Sequence, residues 1–352
     1  MKKYSEINVF RRKLTQFFTS SLGKSTHSLS EIKKIKDFSQ IKRILIVRPN
    51  HRLGNTLLIT PLVEEVIQVF PNASIDLFVK GGVATTVFQH YNQVKNYIIL
   101  PKKHFKELFQ YIKGWFVLGT KKYDLVINVS SGSSSGKLAT KLSRATYKFY
   151  GTEFEKLIKF NREQRHFAKF PVYKFRNYVY DYSYKITELP IKQLNLHLSD
   201  VELKKGKQML DAVVPFPEKE TIAIFTFATG DKCYSKEWWL TFYNKLVANF
   251  PNYNIIEILP VENVSQIDFI PPTFYSKEIR DIAAFIANTK LFIGADSGMM
   301  HLACTTKTAV IGLFSVTDKD KYGPYGHLKS GINTNKTTID QCLKKVENIL
   351  VS

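Results

Sequence analysis

The stretch Leu291–Gly312, LFIGADSGMMHLACTTKTAVIG, carries the pattern that decides the predicted fold. Its first three residues form an apolar run that predicts a buried strand, and residues 309–313 predict the next strand. Between them, the small residues and cap formers of 294–298 predict a tight turn, after which a helix begins near Met299. A strand, a turn, a helix and a strand in this order predict one unit of a parallel α/β sheet.

The turn at 294–298 is a predicted binding site for a diphosphate. The first N–H groups of a helix have no partner within the helix, and the helix dipole is positive at that end. The small residues allow an anion to approach this terminus closely. His301 lies four residues after Ser297, on the same face of the helix. The alternative interpretation is an ordinary strand–helix turn in which Asp296 caps the helix and His301 is a satisfied core residue.

Size and composition narrow the class of protein. The chain has 352 residues, enough for two domains with cores of their own. No apolar run is long enough to predict a transmembrane helix, and no secretory signal is recognisable. The cysteines Cys233, Cys304 and Cys342 are scattered, which favours a reducing compartment and argues against a disulfide framework or a zinc site.

The net charge of +21 implies an anionic partner. Nucleic acid, an anionic membrane surface and a phosphorylated substrate all meet this requirement, and composition does not choose among them. The basic N-terminal extension, residues 1–40, favours the membrane, because it predicts an amphipathic helix flanked by Lys and Arg. The alternative is a helix packed on the protein. The apolar residues of this helix are Ile7, Phe10, Leu14, Phe17, Phe18 and Leu22.

Strands and helices alternate along the rest of the chain, with an interruption by the basic, aromatic stretch at 153–190. This alternation predicts two doubly wound α/β domains, residues 41–189 and 190–352, with a cleft between them. The predicted strands are 44–47, 74–79, 97–100, 124–128, 221–226 and 253–258. The predicted helices are 56–70, 105–118, 200–213, 236–250, 278–287 and 338–351. The Ser/Gly-rich segment 130–136 lacks the P-loop pattern and is predicted to be a loop at the edge of the sheet.

Three loops of the second half are predicted to bind one ligand. Thr229 follows a strand and offers a hydroxyl, Lys236 opens the next helix and offers a cation, and the turn at 294–298 offers backbone donors. Together these groups suit a diphosphate. Taken singly, Lys236 has the pattern of a surface lysine and Trp238 that of a core residue.

Three motifs resemble those of the ADP-heptose:lipopolysaccharide heptosyltransferases, glycosyltransferase family 9. They are ILIVRPNHRLGNTLLITPL at 44–62, FATG with SKEWW at 227–239, and FIGADSGMMHLA with AVIGLFSVTDKDKYGPYG at 292–326. The resemblance spans roughly residues 41–350. It implies a GT-B fold, two Rossmann-like domains facing a central cleft, with the acceptor on the first domain and the donor on the second.

The resemblance also implies an inverting transfer and a set of site residues. The implied donor-diphosphate residues are Thr229, Lys236, Ser297, Gly298 and His301, and the implied nucleotide-binding residues are Glu262 and Asp296. No cofactor is implied beyond an ADP-heptose-like donor. The DxD sequence Asp318–Asp320 falls in a predicted loop after a strand, at a position where the family also has a loop. Because the helix terminus and Lys236 already serve the leaving diphosphate, we predict no metal requirement.

One position departs from the family. The catalytic aspartate of the heptosyltransferases follows the glycine that matches Gly54, and this chain has Asn55 there. An amide holds a hydroxyl group by hydrogen bonds but does not accept its proton at neutral pH. His51, in the same loop, is the first candidate for the general base. The alternative is that His51 faces solvent and the proton leaves late, to water or to the departing diphosphate.

The predicted function is therefore an inverting glycosyltransferase that moves a heptose-like sugar to a lipopolysaccharide core or another cell-surface glycan. It is expected to be cytoplasmic and peripheral at the inner face of the bacterial inner membrane. A non-catalytic relative that binds a sugar nucleotide is the alternative that Asn55 raises. A nucleic-acid-binding protein is the alternative that the charge and the basic aromatic stretch 165–184 raise, but the sequence has no RNP, KH or zinc-finger pattern. We therefore predict no nucleic-acid partner.

Overall fold

The structure, a computed structural model, describes residues 33–103, 105–153, 159–180 and 189–351. The helix predicted in the N-terminal extension and the end of the basic aromatic stretch, residues 181–184, lie outside the described residues. The chain divides into two compact units. The first unit contains the residues up to His51, Pro61–Gln164 and Ala168–Lys192, and the second contains Arg52–Thr60, Arg165–Phe167 and the residues from Gln193 onward.

The first unit is built on a parallel sheet with strand order β3-β2-β1-β4-β5. The central strand β1 pairs with β2 on one side and β4 on the other. Its residues 44–47 are fully buried, as expected for a strand covered on both faces. The strands are β1 Arg43–Arg48, β2 Ser74–Lys80, β3 Val94–Leu100, β4 Lys122–Asn128 and β5 Arg144–Phe149.

Helices follow the strands of this unit. They are α1 Leu53–Leu57, which is assigned to the second unit, α2 Thr60–Val69, α3 Val83–Val87, α4 Leu108–Thr120, α5 Ser134–Leu142 and α6 Phe170–Val179. The loop predicted at 130–136 is wrong at its end, because α5 begins at Ser134. Ser133 caps this helix, and its Oγ accepts a hydrogen bond from the N–H of Gly136 at 3.1 Å.

The single helix predicted over 56–70 is also wrong, because it is broken between α1 and α2. Pro61 has no N–H to donate to the carbonyl of Leu57, and its ring crowds that carbonyl in a continuous helix. Thr60 takes over the acceptor, since its Oγ1 donates to Leu57 O at 2.8 Å. The helix therefore restarts at Thr60, with the proline in the first turn where its missing N–H costs nothing.

Helix α6 uses the basic aromatic stretch as core. Ala168, Val172 and Phe175 are completely buried. Arg176 forms a two-pronged ion pair with Glu65, with distances of 2.7 and 2.8 Å, and Lys174 Nζ donates to Gly151 O at 2.7 Å. These two cations are therefore committed to the interior of the first unit and are not available to nucleic acid or to an anionic membrane.

The second unit contains a six-stranded parallel sheet with strand order β11-β10-β9-β6-β7-β8. The strands are β6 Thr221–Phe225, β7 Asn254–Ile258, β8 Thr273–Phe274, β9 Leu291–Ala295, β10 Ala309–Phe314 and β11 Lys329–Asn333. The helices are α7 Asp200–Asp211, α8 Lys236–Asn249, α9 Ile279–Ala287, α10 Gly298–Ala303, α11 Lys319–Tyr322 and α12 Ile339–Leu350. Sequence analysis did not predict β5, β8 or β11.

The core of the second unit lies between this sheet and helices α8 and α12. Ile224, Ile293 and Ile311 point into it from the three central strands, and Trp239 is the largest fully buried side chain packed against them. Strands β6, β9 and β10 are fully buried and almost entirely apolar, which is why they were recognisable in the sequence. The two parallel sheets with alternating helices confirm the predicted doubly wound α/β class.

Candidate functional site

The candidate site lies at the carboxyl edge of the second sheet. Strands β6, β9 and β10 are neighbours in the sheet and run parallel. The loops that follow them therefore leave from the same edge, which is where ligands bind in open α/β sheets. These loops contain most of the residues that the sequence assigns to the donor.

Asp296 connects the three loops. It follows β9 directly, and it is only 5% exposed. Its Oδ2 accepts hydrogen bonds from Lys232 Nζ at 3.2 Å and from Thr317 Oγ1 at 2.6 Å. Its Oδ1 lies 4.0 Å from His301 Nε2. Because Lys232 follows β6 and Thr317 follows β10, one buried carboxylate holds all three loops together. We call Lys232, Asp296, His301 and Thr317 the Asp296 cluster.

Ser297, rather than Asp296, caps helix α10. The Oγ atom of Ser297 accepts from the N–H of Met300 at 3.3 Å, in the geometry of an N-cap. The interpretation of Asp296 as the capping residue is therefore wrong, and its carboxylate is free to hold Lys232 and Thr317. Gly298, the first residue of α10, lies against α1, since a Cβ atom there would be 3.4 Å from the backbone nitrogen of Gly54.

His301 is enclosed at this position. A Cβ atom on Gly54 would lie only 2.7 Å from His301 Cδ2, so the glycine of the RLGN sequence is needed for α1 to pack on the imidazole. Burial lowers the pKa of His301 to about 4, against the opposing effect of Asp296, and the neighbouring His166 and Lys232 act in the same direction as burial. The ring is therefore neutral at pH 7 and acts through hydrogen bonds rather than through charge.

Sequence analysis missed His166. The segment Arg165–Phe167 belongs to the second unit, and His166 is buried there. Its Nε2 lies 2.8 Å from the carbonyl oxygen of Gly323, which only accepts, so Nε2 carries the proton and donates. Phe167 stacks on Tyr322 with a centroid distance of 4.4 Å. This segment therefore supports the loop after β10, and no local pattern in the sequence indicates that long-range contact.

Lys232 is the second residue that sequence analysis missed. The prediction placed Lys236 opposite the 294–298 turn, but Lys236 is an exposed residue at the start of α8 and forms an ion pair with Asp268. Lys232 instead reaches Asp296. Thr229 is exposed and precedes the short turn Gly230–Lys232, without a side-chain capping bond. The sequence feature that could have identified Lys232 is its position directly after the strand–turn sequence FATGD.

A buried carboxylate braces the loop that contains Glu262. Glu257 of β7 accepts from Thr226 Oγ1 at 2.5 Å and from Ser265 Oγ at 2.7 Å. Its burial raises the pKa of the Glu257 carboxyl. Glu262 itself lies in an exposed turn of this loop. The loop is therefore held at both sides, with Glu262 in solvent, where it is accessible to a ligand.

The two predicted catalytic residues belong to different units. His51 follows β1, is exposed and lies in the first unit, whereas Asn55 is half-buried in α1 and lies in the second. Gly81, at φ +68°, lies beside His51 and under Lys102, since a Cβ atom there would be 3.4 Å from His51 Cβ and 2.8 Å from Lys102 Cε. The roles of both residues stay predictions.

The DxD sequence forms local hydrogen bonds. Asp318 caps α11 by accepting from the N–H of Asp320 at 3.0 Å, and Lys319 Nζ donates to the Asp320 carboxylate at 2.8 Å. Across the described ranges, no group of three or more His, Cys, Asp or Glu side chains has the arrangement of a metal site. Metal independence stays a prediction.

The model of glycosyltransferase family 9 (heptosyltransferase) matches residues 276–350. The resemblance to family 9 is thereby confirmed. The family 9 segment includes β9, α10 and β10, and with them Asp296, His301 and Thr317 of the Asp296 cluster. No curated protein sequence matches this one.

Solved structures of family 9 proteins share the fold. A glycosyl transferase family 9 structure from Veillonella parvula has a TM-score of 0.69 at 15% identity, covering 90% of this chain and 99% of that one. The E. coli heptosyltransferase WaaC with ADP-2-deoxy-2-fluoro heptose has a TM-score of 0.61 at 18% sequence identity, and the match covers 87% of this chain and 99% of that one. The structure of E. coli ADP-heptose lps heptosyltransferase II has a TM-score of 0.63 at 15% sequence identity, and the match covers 88% of this chain and 98% of that one. The predicted GT-B fold is confirmed, and the chain shares it with these heptosyltransferases.

Proposed function

We propose that this protein transfers a sugar from a nucleotide-diphosphate donor to a cell-surface glycan, with inversion at the anomeric carbon. The observation that carries the proposal is that the family 9 match falls on the segment that forms most of the Asp296 cluster. An ADP-heptose-like donor and a lipopolysaccharide-core or related glycolipid acceptor are the proposed substrates. WaaC with a fluorinated ADP-heptose supports the choice of donor by its shared fold.

In this proposal the donor diphosphate binds beside the turn at 294–298. Lys232 has three N–H donors and uses one on Asp296, which leaves donors for phosphate oxygens. Thr229, Ser297, Gly298 and the exposed Lys236 border the same region through their loops. The neutral His301 donates or accepts a hydrogen bond without adding charge. The departing nucleotide diphosphate is stabilised by these donors, which are in place before the reaction.

The acceptor half of the proposal rests on His51 and Asn55. Asn55 orients the acceptor hydroxyl, and His51 takes its proton as the hydroxyl oxygen attacks the anomeric carbon. The bond from that carbon to the diphosphate oxygen breaks as the new glycosidic bond forms, and its electron pair leaves with the nucleotide diphosphate. Glu262 and Asp296 are the proposed residues at the nucleotide side, with Asp296 acting by holding Lys232.

We also propose that the protein works in the cytoplasm at the inner face of the membrane, where a glycolipid acceptor is available. In the described part of the chain, no helix has both the length and the apolarity needed to cross a bilayer. The net charge of +21 supports attraction to an anionic surface.

The test is a thermal-shift screen of ADP, UDP, GDP and their sugars, followed by a transfer assay that measures release of the nucleotide diphosphate. A ligand that binds the folded state raises the unfolding midpoint. Asp296→Asn should reduce the shift caused by ADP, because Lys232 and Thr317 lose the carboxylate that holds them in position, whereas Asp340→Asn, which removes an exposed ion-pair partner of Lys245, should not. No shift with any nucleotide, together with no release, would contradict the proposal. Release that stops in EDTA and returns with Mg²⁺ would refute metal independence.

A non-catalytic sugar-nucleotide binder is the second function, favoured by Asn55 in place of the family carboxylate. It predicts a full thermal shift with the donor and no release of diphosphate in the presence of acceptor. Asn55→Asp distinguishes the two functions, because restored release in this variant identifies the missing base as the reason for inactivity.

A further inference from the structure

Helix α4 exposes a broad apolar face. Leu108, Phe109, Ile112 and Phe116 are 56%, 80%, 58% and 71% exposed. They stand at positions i, i+1, i+4 and i+8, so their side chains lie on one side of the helix. Phe105, three residues before the helix, is 52% exposed. Contiguous exposed apolar side chains of this kind mark a surface that contacts a partner.

The opposite side of α4 is already committed to the core of the first unit. Leu118 is fully buried, and the ring of Trp115 lies 5.2 Å from that of Phe78. Gly114 brings the helix close to the sheet, since a Cβ atom there would lie 2.8 Å from Leu100 Cδ2. Rotating α4 to bury Phe109 and its neighbours would remove these contacts. The apolar face is therefore a stable feature of the folded unit.

Exposed lysines precede this face in the sequence and occur within the helix. Lys102, Lys103, Lys106 and Lys113 are exposed, and no acidic side chain forms an ion pair with any of them in the described part of the chain. Glu107 is the one acidic residue between positions 102 and 122. The face therefore combines large apolar side chains with a rim of unneutralised positive charge.

We propose that α4 is a docking surface for an anionic lipid bilayer. Phe109, Ile112 and Phe116 would enter the boundary between headgroups and acyl chains, with the helix parallel to the membrane and the lysines at the headgroups. A second copy of the chain fits less well, because a symmetric contact through α4 would bring the same lysines of both copies together. The residues of this surface are distinct in sequence from residues 1–40 and from the basic aromatic stretch.

The inference extends the proposed function, which assigns a glycolipid acceptor to the protein, but its test does not depend on transfer. Membrane docking is measured with vesicles alone. Donor binding is measured with ADP alone, and α4 lies outside the second unit that contains the Asp296 cluster. If ADP fails to bind while α4-dependent docking persists, only the proposed function fails.

The first experiment is co-sedimentation of the full chain with phosphatidylcholine vesicles, with and without phosphatidylglycerol. The parent should bind the anionic vesicles at least about tenfold more tightly than the neutral ones. The variant Phe109→Ser/Ile112→Ser/Phe116→Ser should bind the anionic vesicles at least about tenfold more weakly than the parent. The matched control is Val201→Ser/Phe216→Ser, which changes side chains of the second unit that are 79% and 50% exposed. It should bind like the parent, and all variants should keep the parental unfolding midpoint.

The second experiment tests the charged rim. Replacing Lys102, Lys103, Lys106 and Lys113 by Gln should weaken binding to anionic vesicles on the order of fivefold per lysine at low salt. A control variant in which four exposed lysines of the second unit are replaced by Gln should lose less affinity for the anionic vesicles. The control positions are Lys204, Lys336, Lys344 and Lys345.

The third experiment tests which helix enters the lipid. A polarity-sensitive dye on Phe116→Cys, in a Cys233→Ser background because Cys304 and Cys342 are buried, should shift its emission to the blue when anionic vesicles are added. The same dye on Val201→Cys should not shift.

Three results would overturn the proposal. The first is equal binding of the parent to neutral and anionic vesicles, and the second is parental binding by the triple α4 variant. The third is a parent that sediments as a dimer and a triple variant that is monomeric, with unchanged vesicle binding. That last result would identify the partner of α4 as a second copy of the chain.

Discussion

Replacing Gly54 by alanine tests the contact between α1 and α10. The added methyl group would lie 2.7 Å from His301 Cδ2, closer than packed atoms approach, and at an ordinary contact distance of 3.5 Å from Gly298 Cα. Alanine in a helix is normally favoured over glycine by about 1 kcal/mol. Inserting a methyl group into a packed contact costs about 1–3 kcal/mol. Because Gly54 is buried against an enclosed ring, we expect the steric cost to exceed the helix gain.

The expected result is a lower unfolding midpoint, by roughly 2–8 °C for a net loss of about 1–2 kcal/mol in a domain of this size. The matched control is Gly119→Ala in α4, where the added methyl group meets no atom within 4 Å. That variant should keep or raise the midpoint. Under the proposed function, Gly54→Ala should also reduce the stabilisation by ADP, because it displaces the imidazole that we propose to contact the diphosphate.

A double-mutant cycle identifies the cause. In a His301→Ala background the clash is absent, so Gly54→Ala should destabilise the protein much less. The coupling free energy between the two substitutions should be about 0.5–3 kcal/mol. Differential scanning fluorimetry of the four proteins measures this. If Gly54→Ala lowers the midpoint equally in both backgrounds, the close approach of Gly54 to the imidazole is not what limits this position.

Three further predictions address the site. Lys232→Ala and Lys236→Ala should each weaken ADP binding by about 1.5–3 kcal/mol in calorimetry, the scale of a charge-assisted hydrogen bond; a lysine whose loss leaves the affinity unchanged does not contact the diphosphate. His51→Ala should lower turnover by at least about 10²-fold with ADP affinity preserved, and an unchanged rate and pH profile in this variant would exclude His51 as the base. Asn55→Ala should mainly weaken the use of the acceptor. Because the pKa of His301 is lower in the folded protein than in the unfolded chain, the unfolded chain takes up the proton first as the pH falls. The free energy of unfolding should therefore decrease as the pH is lowered from about 6.5 towards about 4. An equally steep decrease in His301→Gln would assign the effect to other groups.

The sequence by itself determined the class of the fold and the edge of the sheet that carries the candidate site. Strands such as 44–47 and 291–295 are covered on both faces, so their apolar runs are continuous and recognisable without any partner. The turn at 296–298 was recognisable because small residues and a helix cap are local requirements. The family motifs suggest the proposed type of reaction, but one of them contains Asn55 in place of the family's aspartate, and the sequence does not say whether transfer survives that change.

Only the tertiary structure decided which side chains meet at the site. Lys232 and Lys236 are equally plausible along the chain, and the course of the loop after β6 brings Lys232 to Asp296. His166 reaches Gly323 across 157 positions of sequence. Lys174 resembles a surface cation until its bond to a buried carbonyl is seen. The physical reason is the same in each case: periodicity and capping report interactions within a few residues, whereas burial of a charge and pairing of loops depend on which distant strands lie side by side.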